Sequence, residues 1–203
     1  MKKLIFGLIL LMSSIAIADN NAIRMYQGWN LVPVGIPVSG QCTINDYSAM
    51  YLYSPLENKY HGGQTTNGNF NDPSLGQIYS QYRDTYLTPG DSGTSAWFYF
   101  NNECDLTITG GINPQKLDMK LFTGWNFITI SGLMNGLKPS EIFQNCNVEK
   151  IYGWDAQNQQ WKKGSLENPT TVKISDIGTS AIVKVSSECT LSNGTANPPQ
   201  LPN

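Results

Sequence analysis

The sequence predicts an all-β protein made of two tandem copies of a small disulfide-stapled β domain, related by a pseudo-twofold duplication. Three observations carry this expectation. Sequence blocks recur in the same order along the chain. Short apolar and aromatic runs are bounded by polar turns rich in Gly, Asn and Pro. Four cysteines divide two to a copy.

The first block is Gly28-Trp29-Asn30-Leu31-Val32-Pro33-Val34, matched by Gly124-Trp125-Asn126-Phe127-Ile128-Thr129-Ile130 at an offset of 96 that holds as far as Gly40 and Gly136. The second, Met50-Tyr51-Leu52-Tyr53 running to Tyr60, matches Ile151-Tyr152-Gly153-Trp154 running to Trp161 at an offset of 101. The third, Asp91 to Cys104, matches Asp176 to Cys189 at an offset of 85, keeping Gly-Thr-Ser-Ala and the final Glu-Cys. The drift in offset places about 16 extra residues of the first copy within His61 to Pro89. An insertion present in one copy is where the two can diverge in function.

Each block reads as strands. Leu31–Val34 and Phe127–Ile130 are short apolar runs. Met50–Tyr53 and Ile151-Tyr152 are aromatic and β-branched, and stop at the polar turns Pro55–Asn58 and Ala156–Gln159. Ala96–Phe100 and Ala181–Val185 give a third strand, and Leu106–Ile108 a fourth. One helical turn is expected around Pro139–Phe143, capped by Ser140. The seam between copies falls at Asn113-Pro114-Gln115. The organisation is then a leader at 1–18, copy 1 at 19–112 with its insertion at about 61–89, copy 2 at 113–192, and a disordered tail at 193–203 carrying Pro198, Pro199 and Pro202.

The leader sets the compartment. Lys2 and Lys3 precede an apolar run from Leu4 to Met12, and Ala16-Ile17-Ala18 is a small-x-small cleavage signal. The apolar run falls short of the roughly 20 residues that a membrane span needs. An exported chain, periplasmic or extracellular, beginning at Asp19 and without a membrane span is expected. Cleavage takes away two lysines and no acid, moving the formal charge from −2 to −4. A mildly acidic chain without basic clusters is a poor nucleic-acid binder.

Cys42, Cys104, Cys146 and Cys189 read as disulfides in an exported protein. Three pairings are open and all respect the duplication; Cys42–Cys104 with Cys146–Cys189 is preferred, because each copy then staples itself. No CxxC spacing suggests zinc or redox work, and His61 is the single histidine. No metal, cofactor or catalytic residue is expected.

The blocks resemble a loosely defined group of GWN-type tandem β repeats in secreted and cell-surface proteins of bacteria and archaea. Copy 1 carries the resemblance in Gly28-Trp29-Asn30, Tyr51 to Tyr60, Leu87-Thr88-Pro89-Gly90, Ala96-Trp97-Phe98-Tyr99 and Leu106 to Gly110. Copy 2 keeps Gly124-Trp125-Asn126, Tyr152 to Trp161 and Ala181 to Val185, but lacks the Pro-Gly turn and has Ile182-Val183 in place of the aromatic pair. The resemblance covers most of the chain and implies an extracellular interaction or scaffold role, with no catalytic residue.

Several short motifs invite chemistry. Gly90-Asp91-Ser92-Gly93 looks like the surroundings of a serine nucleophile, which needs a His base and an orienting Asp. Ser92 aligns with Ile177, so the segment reads as a turn into a strand. His61 aligns with Lys162 and is expected at the surface. Asn67 to Asp72 has a spacing loosely like a calcium loop, but Asn67 and Ile78 stand at its first and twelfth positions, where that loop needs Asp and Glu. Asn193-Gly194-Thr195 matches a glycosylation acceptor. Trp29, Trp125 and Trp97 are expected in the core.

Tyr60 and Trp161 close the polar turns and are expected to be half-exposed, forming with Tyr79, Tyr82 and Tyr86 of the insertion an aromatic platform suited to sugar rings or peptides. The expected function is a non-catalytic binding module for a glycan or protein partner at the cell envelope. A self-associating envelope or matrix subunit is the alternative, and a hydrolase using paired acids such as Asp46 and Asp84 is the third.

Overall fold

A computed structural model of the chain describes residues 21–34, 38–43, 46–66, 69–70, 94–108 and 119–191. The chain is all-β, with two similar antiparallel sheets in tandem. In copy 1 the strands are β1 (Asn21–Met25), β2 (Gly28–Pro33), β3 (Val38–Gly40), β4 (Tyr47–Ser54), β5 (Lys59–Thr66), β6 (Asn69–Phe70), β7 (Ser95–Phe100) and β8 (Cys104–Ile108). The large sheet runs β2-β7-β4-β5-β6 and the small one β1-β8-β3. Copy 2 has β9 (Lys120–Leu121), β10 (Gly124–Thr129), β11 (Val148–Asp155), β12 (Gln160–Lys163), β13 (Ser180–Val185) and β14 (Cys189–Thr190). Its large sheet, β10-β13-β11-β12, repeats the strand order of copy 1, and β14-β9 answers β8-β1. Even an irregularity is repeated. The register of β4 on β7 shifts between Tyr47 and Ala49, and that of β11 on β13 shifts between Val148 and Lys150, the same place in each copy.

The Gly-Trp-Asn motif has a mechanical explanation. The chain must cross from the small sheet to the large one within two residues. Gly28 and Gly124 take the left-handed region there, at φ 101° and 99°, which a side chain would resist. The Asn then folds back on the crossing. Asn30 Oδ1 accepts from the Tyr26 N–H at 3.0 Å, and its Nδ2 donates to the carbonyls of Tyr26 and Gly28 at 2.7 and 3.0 Å. Asn126 makes the same three bonds to Phe122 and Gly124, at 2.8, 2.7 and 3.1 Å. Both amides are buried, at 2% and 0% exposure, and they satisfy backbone groups that the crossing strips from the ladders.

Each copy has its own core. In copy 1, Met25, Val32, Phe100 and Leu106 pack around the disulfide Cys42–Cys104. In copy 2, Leu121, Ile128, Val183, Val185 and Leu191 pack with Ile142 and Phe143 beside Cys146–Cys189. Each bond ties the segment between the first and second blocks to the first residue of the closing strand, β8 or β14.

The copies differ where copy 2 replaces β3 with a 3₁₀ turn, Gly132–Met134, and the helical turn α1, Pro139–Ile142. Ser140 does not cap α1. With Pro139 at the first helical position the cap falls on Lys138, whose N–H is taken by Glu141 Oε2 at 2.7 Å. A second correction concerns His61, which is 7% exposed, with Nε2 3.2 Å from Glu57 Oε2. Its counterpart Lys162 lies on the short edge strand β12, whereas β5 runs on to Thr66, where β6 pairs with its last two residues. The insertion therefore begins as strand, and Asn69 and Phe70 of the calcium-like spacing pair with Thr66 and Thr65. The seam at 113–115, the Gly90–Gly93 turn and the 193–203 segment lie outside the described residues.

Candidate functional site: an aromatic groove at the junction of the copies

Strand β7 reads Ser-Ala-Trp-Phe-Tyr-Phe. With a period of two, Ala96, Phe98 and Phe100 share one face and Ser95, Trp97 and Tyr99 the other. Both faces are apolar enough to need cover. The first is covered by the core of copy 1. The second is covered by copy 2.

The two large sheets meet through equivalent faces: β10 lies against β7 and β13 against β2, a pair of contacts that exchanges under the duplication. Ser95 and Ser180 are equivalent residues and their hydroxyls are 2.7 Å apart, which marks the pseudo-twofold axis. Ser95 Oγ is also 3.1 Å from Thr129 Oγ1, which donates to the Thr94 carbonyl at 2.9 Å. Around this small polar knot sits a shared apolar cluster of Tyr53, Phe127 and Ile182, with Leu31, Trp97, Trp125 and Tyr152 against it. The copies are thus joined by a third apolar cluster, separate from the core of each.

On one flank of the junction the cluster opens into a groove of about 460 Å³, lined by Trp29, Tyr51, Tyr60, Trp97, Trp154 and Trp161. Copy 1 supplies four of these rings and copy 2 two. Trp97 stands at the centre, with ring centroids 5.1 Å from Trp154, 5.4 Å from Trp161 and 6.4 Å from Trp29, all near-perpendicular. Edge-to-face packing of this kind is the favoured arrangement of aromatic quadrupoles and holds each ring in place. Trp154 Nε1 donates to the Trp29 carbonyl at 2.7 Å, and Gln159 clasps the same residue, accepting from its N–H at 2.8 Å and donating to its carbonyl at 2.9 Å. A side chain at position 28 would meet the Gln159 amide oxygen at 2.7 Å, so Gly28 serves this close approach as well as the crossing.

Tyr60 and Trp161, which the sequence singles out, are equivalent residues and both border the groove, at 50% and 44% exposure. Burial pushes the Tyr60 hydroxyl above its ordinary range, against the pull of a hydrogen bond with Trp97. Tyr79, Tyr82 and Tyr86 lie outside the described residues. Trp29 is corrected: it is half-buried and forms a groove wall, because its neighbour Asn30 occupies the inward face of the strand; Trp97 packs against the shared cluster and lines the groove as well. Trp125 is half-buried against Tyr152, with centroids 6.1 Å apart. Trp29, Tyr51, Trp97 and Trp154 are thus the site residues that sequence reasoning missed. The signal that finds them is a strand aromatic on both faces, which implies a second body against the outer one.

Two charged residues directly follow groove residues in the chain, Asp155 after Trp154 and Lys162 after Trp161. The Lys162 ammonium, 2.6 Å away, followed by Asn158, holds the Asp155 carboxyl well below the usual carboxylate range. Asp46 is tied into its own turn by the Thr43 N–H and hydroxyl, which lower its pKa; Asp84 lies outside the described residues. Among the described residues there is no cluster of three or more His, Cys, Asp or Glu, and no helix long and apolar enough to cross a membrane. A comparison with family models, curated proteins and solved structures finds no match to the chain.

Proposed function

We propose that the chain is a non-catalytic, exported binding module that recognises a glycan at the cell envelope through the aromatic groove, as a member of the GWN-type repeat group its blocks resemble. The single observation that carries this is the groove itself: six ordered aromatic rings, with no charged side chain among them. Its volume falls within the several hundred Å³ usual for small-ligand sites. The apolar faces of pyranose rings stack on such surfaces, and an uncharged lining favours a neutral polymer. The two disulfides and the leader agree with export.

A protein partner is the second reading, favoured by the scarcity of polar groups on the groove walls. Self-assembly through sheet edges has less support. The outer strand β12 presents Lys162 and Lys163, exposed charges of the kind that guard an edge against strand addition.

The test is a glycan array and a cell-wall pull-down with residues Asp19–Asn203, beside the Trp161→Ala variant. A specific hit that is lost in the variant supports the reading. A clean blank removes the glycan and moves the weight to a protein partner.

A further inference from the structure

We propose, on the reading of the groove as the binding site, that Gln159 is its positioning residue: it clamps copy 1 to copy 2 at Trp29 and so sets the width of the groove. Gln159 holds a conformation that suits it poorly. It lies at φ 51° in the turn between β11 and β12, and among the described residues only one other non-glycine residue is left-handed, Asn58 at φ 53°. The two are equivalent at the offset of 101. Asn is one of the side chains that tolerate this region, whereas Gln has no such preference. Strain of this kind persists only where the surroundings hold it, and it collects at functional sites. Copy 1 thus has the suited residue, and copy 2 has one methylene more. Asn58 stays within its own copy, accepting from the Tyr53 hydroxyl. The longer Gln159 crosses the junction to Trp29.

It meets a strand edge there. β2 is the outer strand of its sheet. Val34, just beyond it, donates its N–H to the Thr94 carbonyl at 3.1 Å, so the even-numbered residues bond to β7 and the odd-numbered ones face outward. The N–H and carbonyl of Trp29 are therefore turned toward copy 2. The Gln159 amide takes the place of a neighbouring peptide unit. Its Oε1 accepts from the Trp29 N–H at 2.8 Å, and its Nε2 donates to the Trp29 carbonyl at 2.9 Å and to the Ala156 carbonyl of its own turn at 2.6 Å. The amide is thus tied to both copies at once. Trp29 forms one wall of the groove, and Trp154 and Trp161 of the opposite wall stand on the two strands that this turn joins. The clasp fixes the opening between them.

The experiment compares wild type, Gln159→Asn and Gln159→Met, each from Asp19 to Asn203. Asn suits the left-handed turn but is too short for the clasp; Met keeps the length and the strain but has no amide. Three readouts need no ligand: the exchange rate of the Trp29 amide proton, the near-UV circular dichroism of the packed indoles, and the urea midpoint. Both variants should exchange the Trp29 proton about tenfold faster, as loss of one hydrogen bond allows, and both should lose near-UV intensity. Gln159→Asn should keep the wild-type midpoint, because relief of the turn offsets the lost bonds, whereas Gln159→Met should unfold at lower urea. An unchanged Trp29 exchange rate overturns the proposal. So does faster exchange with an unchanged near-UV spectrum, because the clasp then seals a strand edge without shaping the groove. So does a midpoint for Gln159→Asn that falls as far as that of Gln159→Met, which marks a bond of stability alone. Retention on isolated cell-wall polymer is read separately. With wild type retained, both variants should bind about tenfold more weakly, as loss of pre-organisation implies, and equal retention overturns this inference alone. With wild type not retained, the glycan reading falls and the three ligand-free readouts still decide the role of Gln159.

Discussion

The two copies share strand order, the position of the register shift, the Asn clamp and the disulfide, yet the aromatic groove draws on them unequally, taking four rings from copy 1 and two from copy 2. The difference lies in a few side chains on the meeting faces. Copy 1 places Trp97 and Tyr99 where copy 2 has Ile182 and Lys184, and Tyr53 and Tyr60 where copy 2 has Trp154 and Trp161. Trp97 reaches across the axis to Trp154 and Trp161, whereas Ile182 stays within the shared cluster. A duplicated backbone thus supplies the frame, and divergence of one face supplies a site that neither copy holds alone.

The largest effect should come from the staples. The disulfides close loops of 62 and 43 residues, for which loop-closure entropy gives about 4 kcal/mol each, nearly equal because the dependence on length is logarithmic. Cys42→Ser/Cys104→Ser and Cys146→Ser/Cys189→Ser should shift urea midpoints alike. A much greater loss from one would show that the copies are not energetically equivalent.

Next come the Asn clamps. Asn30→Ala and Asn126→Ala each strand buried backbone groups, at about 2–3 kcal/mol, measured by chemical denaturation. Equal losses would confirm that the motif acts the same way twice. At the axis, Ser95→Ala removes a hydroxyl shared among Ser180, Thr129 and the Ile128 carbonyl, and should cost about 1 kcal/mol. Ser180→Ala should cost less, since its described partner is Ser95 alone.

The smallest effect is one of pH and belongs to copy 2, because Asp155 aligns with Ser54. The folded-state pKa of Asp155 is depressed by Lys162 and Asn158. Its contribution is therefore present above the ordinary carboxylate pKa of about 4 and is lost as pH falls from there toward the depressed value. The stability difference between wild type and Asp155→Asn should be flat from pH 5 to 8 and shrink below about pH 4.

Much of the frame was legible in the sequence, because block repetition and period-two runs report local geometry directly. The strands around Gly-Trp-Asn, Tyr51, Trp97 and their counterparts fall where those patterns put them. β1, β3, β5, β6, β9, β12 and β14 were not seen. β1, β3 and β9 are short, and their partners β8 and β14 lie far away in the chain, so nothing local marks them. The groove was half legible. Tyr60 and Trp161 stand out by ending polar turns, whereas Trp29 and Trp97 look like core because they sit in the repeated blocks. Only the packing of one copy on the other decides which face of β7 is the core. Likewise, His61 is buried at a position whose counterpart Lys162 is exposed, although both pair with equivalent residues, Leu52 and Gly153.

The most direct test of the central claim, that divergence at the junction makes the binding site, is to give copy 1 the residue of copy 2. Wild type and Trp97→Ile, both from Asp19, are compared for retention on isolated cell-wall polymer, with urea midpoints measured alongside. The account predicts that wild type is retained and Trp97→Ile is not, with a midpoint that still reports a folded chain. Equal retention of both proteins would contradict it.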